Sequence, residues 1–123
     1  MPMTNNQDDR LFDLEDRTFE FARRVRAFVK KLPDTVANRE DIPQLLRASG
    51  SVGANYREAN DALGKKDFAM RIRISRKESK ESRYWLRLVD TGEDEAPAAE
   101  RDELVGEATE LVKIFSSILQ KCK

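Results

Sequence analysis

Gln44-Leu-Leu-Arg-Ala-Ser-Gly-Ser-Val-Gly-Ala-Asn-Tyr-Arg-Glu-Ala59 is the stretch on which the fold turns. It holds Gly50, Gly53, Ser49 and Ser51 within an otherwise apolar frame. Helix interiors disfavour such residues, Gly by roughly 1 kcal/mol against Ala and Ser because it competes for backbone hydrogen bonds. The stretch is therefore either a loop between helices or a helix thinned to admit a neighbour. Spacing decides between them. Leu45, Leu46, Ser49, Val52, Gly53, Tyr56, Ala59, Asn60 and Leu63 keep the three-and-four step of one helical face across both glycines. This predicts one continuous helix with a close-packing seam, in which Gly53→Leu disrupts folding and Gly53→Ala is mild.

Outward from this helix the pattern repeats. Upstream, Phe21, Val25, Phe28 and Leu32 form a stripe extended backwards by Leu14 and Thr18, with Asp13 as cap and Pro33 as stop. Asp41 reads as the cap of the central helix, with Pro43 in its first turn and Gly64 as its stop. Downstream, Phe68, Ile72, Ser75, Ser79, Ser82, Leu86 and Val89 form one face, flanked by Ile74, Glu78, Glu81, Trp85 and Leu88. The two faces together span about 200° of the helix, twice the stripe needed to pack on one core. After an acidic turn at Gly92–Pro97, Leu104, Val105, Ala108, Leu111, Val112, Phe115, Ile118 and Leu119 run in phase. The expected fold is all-α, an antiparallel up-down-up-down four-helix bundle with helices at about 13–32, 41–63, 65–91 and 97–121, preceded by a flexible segment 1–12.

Composition agrees. The 123 residues suit one domain, 37% are charged, and only five are Gly and four Pro. With no His and one Cys, near the C-terminus, the chain lacks a disulfide framework, the commonest general base and the Glu-x-x-His pairs of bundle metal sites. Glu58, Glu78 and Glu81 are expected to pair with Arg47, Arg57 or Lys77, or to line a subunit contact. Gly50-Ser-Val-Gly53 lacks the Lys-Ser/Thr of a phosphate loop. No catalytic, cofactor, metal or small-molecule site is expected, and no membrane span; the natural setting is cytoplasmic.

Charge is where function becomes legible. The chain balances 23 basic against 23 acidic residues. Residues 65–89 nonetheless carry nine basic and three acidic side chains, and residues 90–123 four and nine. Arg73, Arg76, Lys80, Arg83 and Arg87 step by three and four along one side of the third helix. They form either a nucleic-acid contact or a face neutralised by the acids of the fourth helix or of a neighbouring subunit. The second flank, Ile74, Glu78, Glu81, Trp85 and Leu88, is the expected subunit interface.

Gln44-Leu-Leu-Arg47, Ser51-Val-Gly-Ala-Asn-Tyr-Arg-Glu-Ala59, Lys65-Lys-Asp-Phe68, Lys77-Glu78 and Glu81-Ser-Arg-Tyr-Trp-Leu-Arg-Leu88 stand in an order that resembles the 23S ribosomal RNA intervening-sequence proteins, from about Asp16 to the C-terminus. Arg47, Ser51, Gly53, Asn55 and Glu58 carry the close-packing and polar part of that signature. The resemblance implies a left-handed bundle assembled as a ring of five, with no known enzymatic activity. It also implies relatives encoded within ribosomal RNA gene insertions, and a related branch of basic pentamers that serve diversity-generating retroelements beside a reverse transcriptase and nucleic acid. Ala48-Ser-Gly50 departs from the family's more usual Ser-Gly-Thr, and zero net charge departs from the retroelement branch. The expected partners are other copies of the chain, and RNA or a nucleic-acid-bound protein, with a purely protein-binding scaffold as the alternative.

Overall fold

The computed structural model describes residues 14–122. The segment 1–12 and the Asp13 cap lie outside the described residues. Four α-helices follow in order: α1 Leu14–Val29, α2 Val36–Asn60, α3 Lys65–Leu88 and α4 Glu95–Lys121. Each packs on its neighbours in a closed cycle, α1 on α2, α2 on α3, α3 on α4 and α4 back on α1, while across the core the diagonal helices α2 and α4 meet through side chains, Tyr56 against Phe115 with ring centroids 6.0 Å apart. Pairings across every seam run in opposite directions: Glu15 with Asn60 and Arg26 with Leu46, Arg71 with Asn55 and Ser75 with Val52, Arg76 with Ser116 and Arg83 with Thr109, Arg17 with Glu107 and Arg24 with Glu103. The core is the common interior of the four helices, filled by Phe21, Val25, Phe28, Leu45, Val52, Ile72, Leu86, Leu104, Leu111 and Phe115.

The α2/α3 seam is the most extensive, and small polar residues make it so. Ser49, Ser75, Ser79 and Ser82 are fully buried. Ser75 Oγ donates to the Val52 carbonyl of α2 at 2.9 Å, while Ser79 and Ser82 donate back to the carbonyls of Ser75 and Glu78, both at 2.8 Å. Short side chains that satisfy themselves on backbone oxygens let two helices approach without orphaned polar atoms. The glycines serve another seam. A Cβ on Gly53 would lie 2.8 Å from Thr18 Oγ1, so this glycine admits α1; Gly50 faces only the flexible Arg26 guanidinium. The close-packing seam read from the sequence is thus two seams, serines toward α3 and one necessary glycine toward α1. A Cβ at Gly53 therefore carries a steric cost that the sequence reading did not anticipate, because the atoms it meets are stiff.

Helix ends differ from the sequence reading for local reasons. The central helix starts at Val36 rather than Asp41, because Thr35 caps it by accepting from the Asn38 amide. Pro43 consequently falls inside α2 rather than in its first turn. That helix ends at Asn60, leaving Leu63 wholly exposed rather than on the packed face. α3 stops at Leu88 rather than Thr91. Asn38, buried, takes both backbone groups of Asp90: its Oδ1 accepts from Asp90 N and its Nδ2 donates to Asp90 O, each at 2.9 Å, while Nδ2 also donates to Pro33 O at 3.0 Å. One amide thereby draws the chain out of helix and ties the α3–α4 turn to the α1–α2 turn. The former turn then reverses at Gly92, with φ +78°, whose amide donates to Asp90 Oδ1 at 2.8 Å. α4 begins at Glu95, two residues before Pro97, which occupies the first turn where its missing N–H costs nothing.

Candidate interaction surfaces of the bundle

The basic stripe of α3 lies along the α4 seam. Arg76 and Arg83, half-buried, each reach a hydroxyl of α4: Arg76 Nη1 lies 3.5 Å from Ser116 Oγ and Arg83 Nη1 lies 3.2 Å from Thr109 Oγ1. Thr109 and Ser116 repeat the seven-residue interval of the two arginines, so the seam sets both guanidinium groups in one row. Arg73, Lys80 and Arg87 are exposed and form a second row at the same interval. None of these cations meets a carboxylate among the described residues. Seven ion pairs form among the described residues, and none includes any of the nine basic residues of α3.

The acids of α4 are committed elsewhere. Glu107 holds Arg17 through a two-pronged pair, Nε to Oε2 at 2.7 Å and Nη2 to Oε1 at 3.0 Å, which keeps the Arg17 guanidinium more firmly protonated than usual against the opposing cost of burial. Glu103 lies 3.7 Å from Arg24, and Glu100 pairs with Lys31 at 3.0 Å. The first two are α4-to-α1 contacts across the sparsest seam of the bundle, and Lys31 lies in the turn just past α1. The expectation that helix four neutralises the stripe is therefore not met within the chain. α4 turns carboxylates to α1 and hydroxyls to α3.

The expected subunit face occupies the opposite edge of α3. Arg71 fixes that edge by donating to Asn55 Oδ1 of α2 at 3.0 Å, and Glu78 and Trp85 follow it at heptad intervals. Ile74, Glu81 and Leu88 form the next row outward. Leu88 is 50% exposed, whereas Ile74 and Trp85 are half-buried, and Trp85 leans on the chain's own core. The truly exposed apolar surface also includes Met70 and Tyr84, whose ring meets Trp85 edge-on at 4.9 Å. The sequence reading omitted both, although they lie three or four residues from Ile74 and Leu88 on the same side of the helix.

Arg47, Ser51, Asn55 and Glu58 run along the bordering edge of α2, with Asn55 anchored on Ser51 O at 2.9 Å. Gly53 lies apart from them, on the α1 side. The anticipated pairing of Glu58, Glu78 and Glu81 with Arg47, Arg57 or Lys77 is absent: no ion pair among the described residues includes these carboxylates. Glu58 and Glu81 are exposed and Glu78 half-buried. Burial pushes the Glu78 carboxyl above its ordinary value, against the lowering pull of Lys77 and with a small push from Glu81. Among the described residues no group of three His, Cys, Asp or Glu is placed to hold a metal. No helix among them is long and apolar enough to cross a membrane.

In class the molecule is an all-α four-helix bundle, whose third helix bears a cationic edge without ion-pair partners among the described residues and a partly exposed apolar edge. The particular family follows from comparison: the profile of the 23S rRNA-intervening sequence protein matches residues 12–117, and the chain belongs to that family. It is similar to the crystal structure of a protein of unknown function from the S23 ribosomal protein family of Bacteroides thetaiotaomicron. The two are 32% identical, the match covers 85% of this chain and 96% of that one, and the TM-score is 0.70. No functionally curated protein matches the chain.

Proposed function

We propose that the chain is a non-enzymatic cytoplasmic module that self-associates, as a ring of five, and engages RNA or an RNA-bound protein through α3. The observation that carries this reading is the unspent charge of that helix, nine cations against three acids, with no carboxylate partner among the described residues for any of the nine. Phosphate affinity needs several Lys or Arg on one surface rather than a basic protein. Self-association is supported by Met70, Tyr84 and Leu88, large apolar side chains left about half exposed on the other edge of the same helix. A ring multiplies the stripe, so contacts that are weak singly become multivalent where one RNA spans several copies.

The test is salt-dependent binding of single-stranded RNA by the wild type and by Lys80→Gln/Arg87→Gln, which removes two exposed cations without internal partners. Affinity is expected to fall, with the slope of log affinity against log salt reduced by roughly 1.4, at about 0.7 for each phosphate no longer neutralised. Zero net charge favours a second reading, a protein-binding scaffold without nucleic acid. Absence of RNA binding by the wild type at low ionic strength would establish that reading instead.

A further inference from the structure

Below the paired Arg76 and Ser116, the α3/α4 seam widens into an open groove of about 640 Å³. Its polar lining is Arg73 and Arg76 from α3 and Lys113, Ser116, Ser117 and Gln120 from α4, with Cys122 at its end, no acidic residue among the described residues of its walls and an apolar floor between them. We propose that this groove is a phosphate-binding site. The reading rests on that of α3 as a contact surface and gives it a definite locus.

Arg73 is exposed and has no ion-pair partner among the described residues. Arg76 is half-buried and spends one N–H on a long contact of 3.5 Å, so its remaining donors stay available while the seam holds its plane. A guanidinium fixed in this way is suited to a two-pronged hold on phosphate oxygens. Lys113 has a partner, Glu110 Oε2 at 3.3 Å, but this is an exposed pair one turn apart on α4. Such pairs contribute little, and a doubly charged phosphate competes for the ammonium with advantage. Ser116, Ser117 and Gln120 add neutral donors on the facing wall, three, four and seven residues beyond Lys113 and so on its side of α4. The volume lies within the range of small-ligand clefts, roughly 300–1,000 Å³. Three cations, three neutral hydrogen-bonding groups and an apolar floor match a phosphorylated nucleotide, either free or as a unit of an RNA chain.

The experiment measures anisotropy of a fluorescent oligo-uridylate, competed by uridine monophosphate and separately by polyglutamate. It compares the wild type, Arg73→Gln/Lys113→Gln, and Ser117→Glu, which adds a negative charge at the groove wall. Both groove variants are expected to bind about tenfold more weakly, the double variant with a salt slope reduced by roughly 1.4. Competition by uridine monophosphate identifies the ligand as a free nucleotide, and lack of it identifies the phosphodiester chain. Wild-type affinity in both groove variants would overturn the site, and if Lys80→Gln/Arg87→Gln still weakened binding, RNA engagement by α3 would stand without it. Displacement by polyglutamate as effective as by an equal charge of unlabelled RNA would also overturn it, since the groove would then accept any polyanion. Should the wild type bind no RNA, calorimetry with inorganic pyrophosphate decides the groove alone: a binding heat that disappears in the variants sustains it, and no heat overturns it.

Discussion

Gly50 and Gly53 lie one turn apart on α2, and the same substitution in each should move stability in opposite directions. Alanine in a helix interior gains up to about 1 kcal/mol over glycine. At Gly50 the new methyl would meet only the Arg26 guanidinium, with Nη2 at 3.3 Å, the far end of a side chain free to move. Gly50→Ala should therefore keep most of that gain. At Gly53 the methyl would lie 2.8 Å from Thr18 Oγ1 and 3.2 Å from Thr18 Cβ. Thr18 has little freedom to yield: it is fully buried, β-branched, and its hydroxyl donates to Leu14 O at 2.9 Å. Relief requires α1 to move away from α2, an overpacking cost of about 1–3 kcal/mol. Gly53→Ala should thus be destabilised by about 0–2 kcal/mol, and Gly53→Leu by more. The two alanine variants should differ by roughly 2 kcal/mol, several degrees or more in Tm for a domain of this size. Thermal and urea melts at one fixed protein concentration, since self-association makes Tm concentration-dependent, provide the comparison. Thr18→Ala should reduce the cost of Gly53→Ala, because the hydroxyl it meets is gone, and a double-mutant cycle would show the coupling. A Gly53→Ala protein as stable as Gly50→Ala, or no coupling to Thr18, would refute the close α1/α2 approach.

Asn38→Ala should cost about 1–3 kcal/mol in denaturant melts, since it removes the three hydrogen bonds that this buried amide makes to Asp90 and Pro33; a cost below roughly 0.5 kcal/mol would exclude Asn38 as the clamp between turns. Glu107→Gln should cost about 1 kcal/mol through the two-pronged pair with Arg17, and Glu103→Gln much less, because its partner is 3.7 Å away and exposed. For pH, the raised Glu78 carboxyl contributes stability that is complete below its ordinary value of 4.5 and is lost as pH rises through the higher folded value. Glu78→Gln should remove that loss, so melts of the variant and wild type should diverge above about pH 4.5 in the variant's favour. Glu20, lowered by Arg23, and Asp34, lowered by Arg39, act with the opposite sign, their contributions fading as pH falls through their folded values. Leu88→Glu, at an exposed site, should leave the monomer's helicity intact and reduce the mass seen by light scattering; an unchanged mass would remove this edge of α3 from the subunit contact.

The number, type and order of the helices were determined by the sequence itself. A three-and-four recurrence of apolar residues needs no tertiary information, because a helix presents one face to the core whatever lies opposite. The cationic row of α3 was legible for the same reason, as was its excess of apolar surface. Three things waited for the tertiary structure. Which glycine is necessary depends on the atom opposite, and only the packed α1 places Thr18 there and Arg26 one turn away. Where helices end depended on Asn38, a single amide whose partners lie in two turns far apart in the chain. Whether α3's charges are free depended on which neighbour receives the acids of α4. Glu100, Glu103 and Glu107 share their helix with Thr109, Lys113 and Ser116, and the sequence holds them all without direction. Packing turns the first set to α1 and the second to α3, because helix phase relative to a partner is fixed by the common core and not by either helix alone.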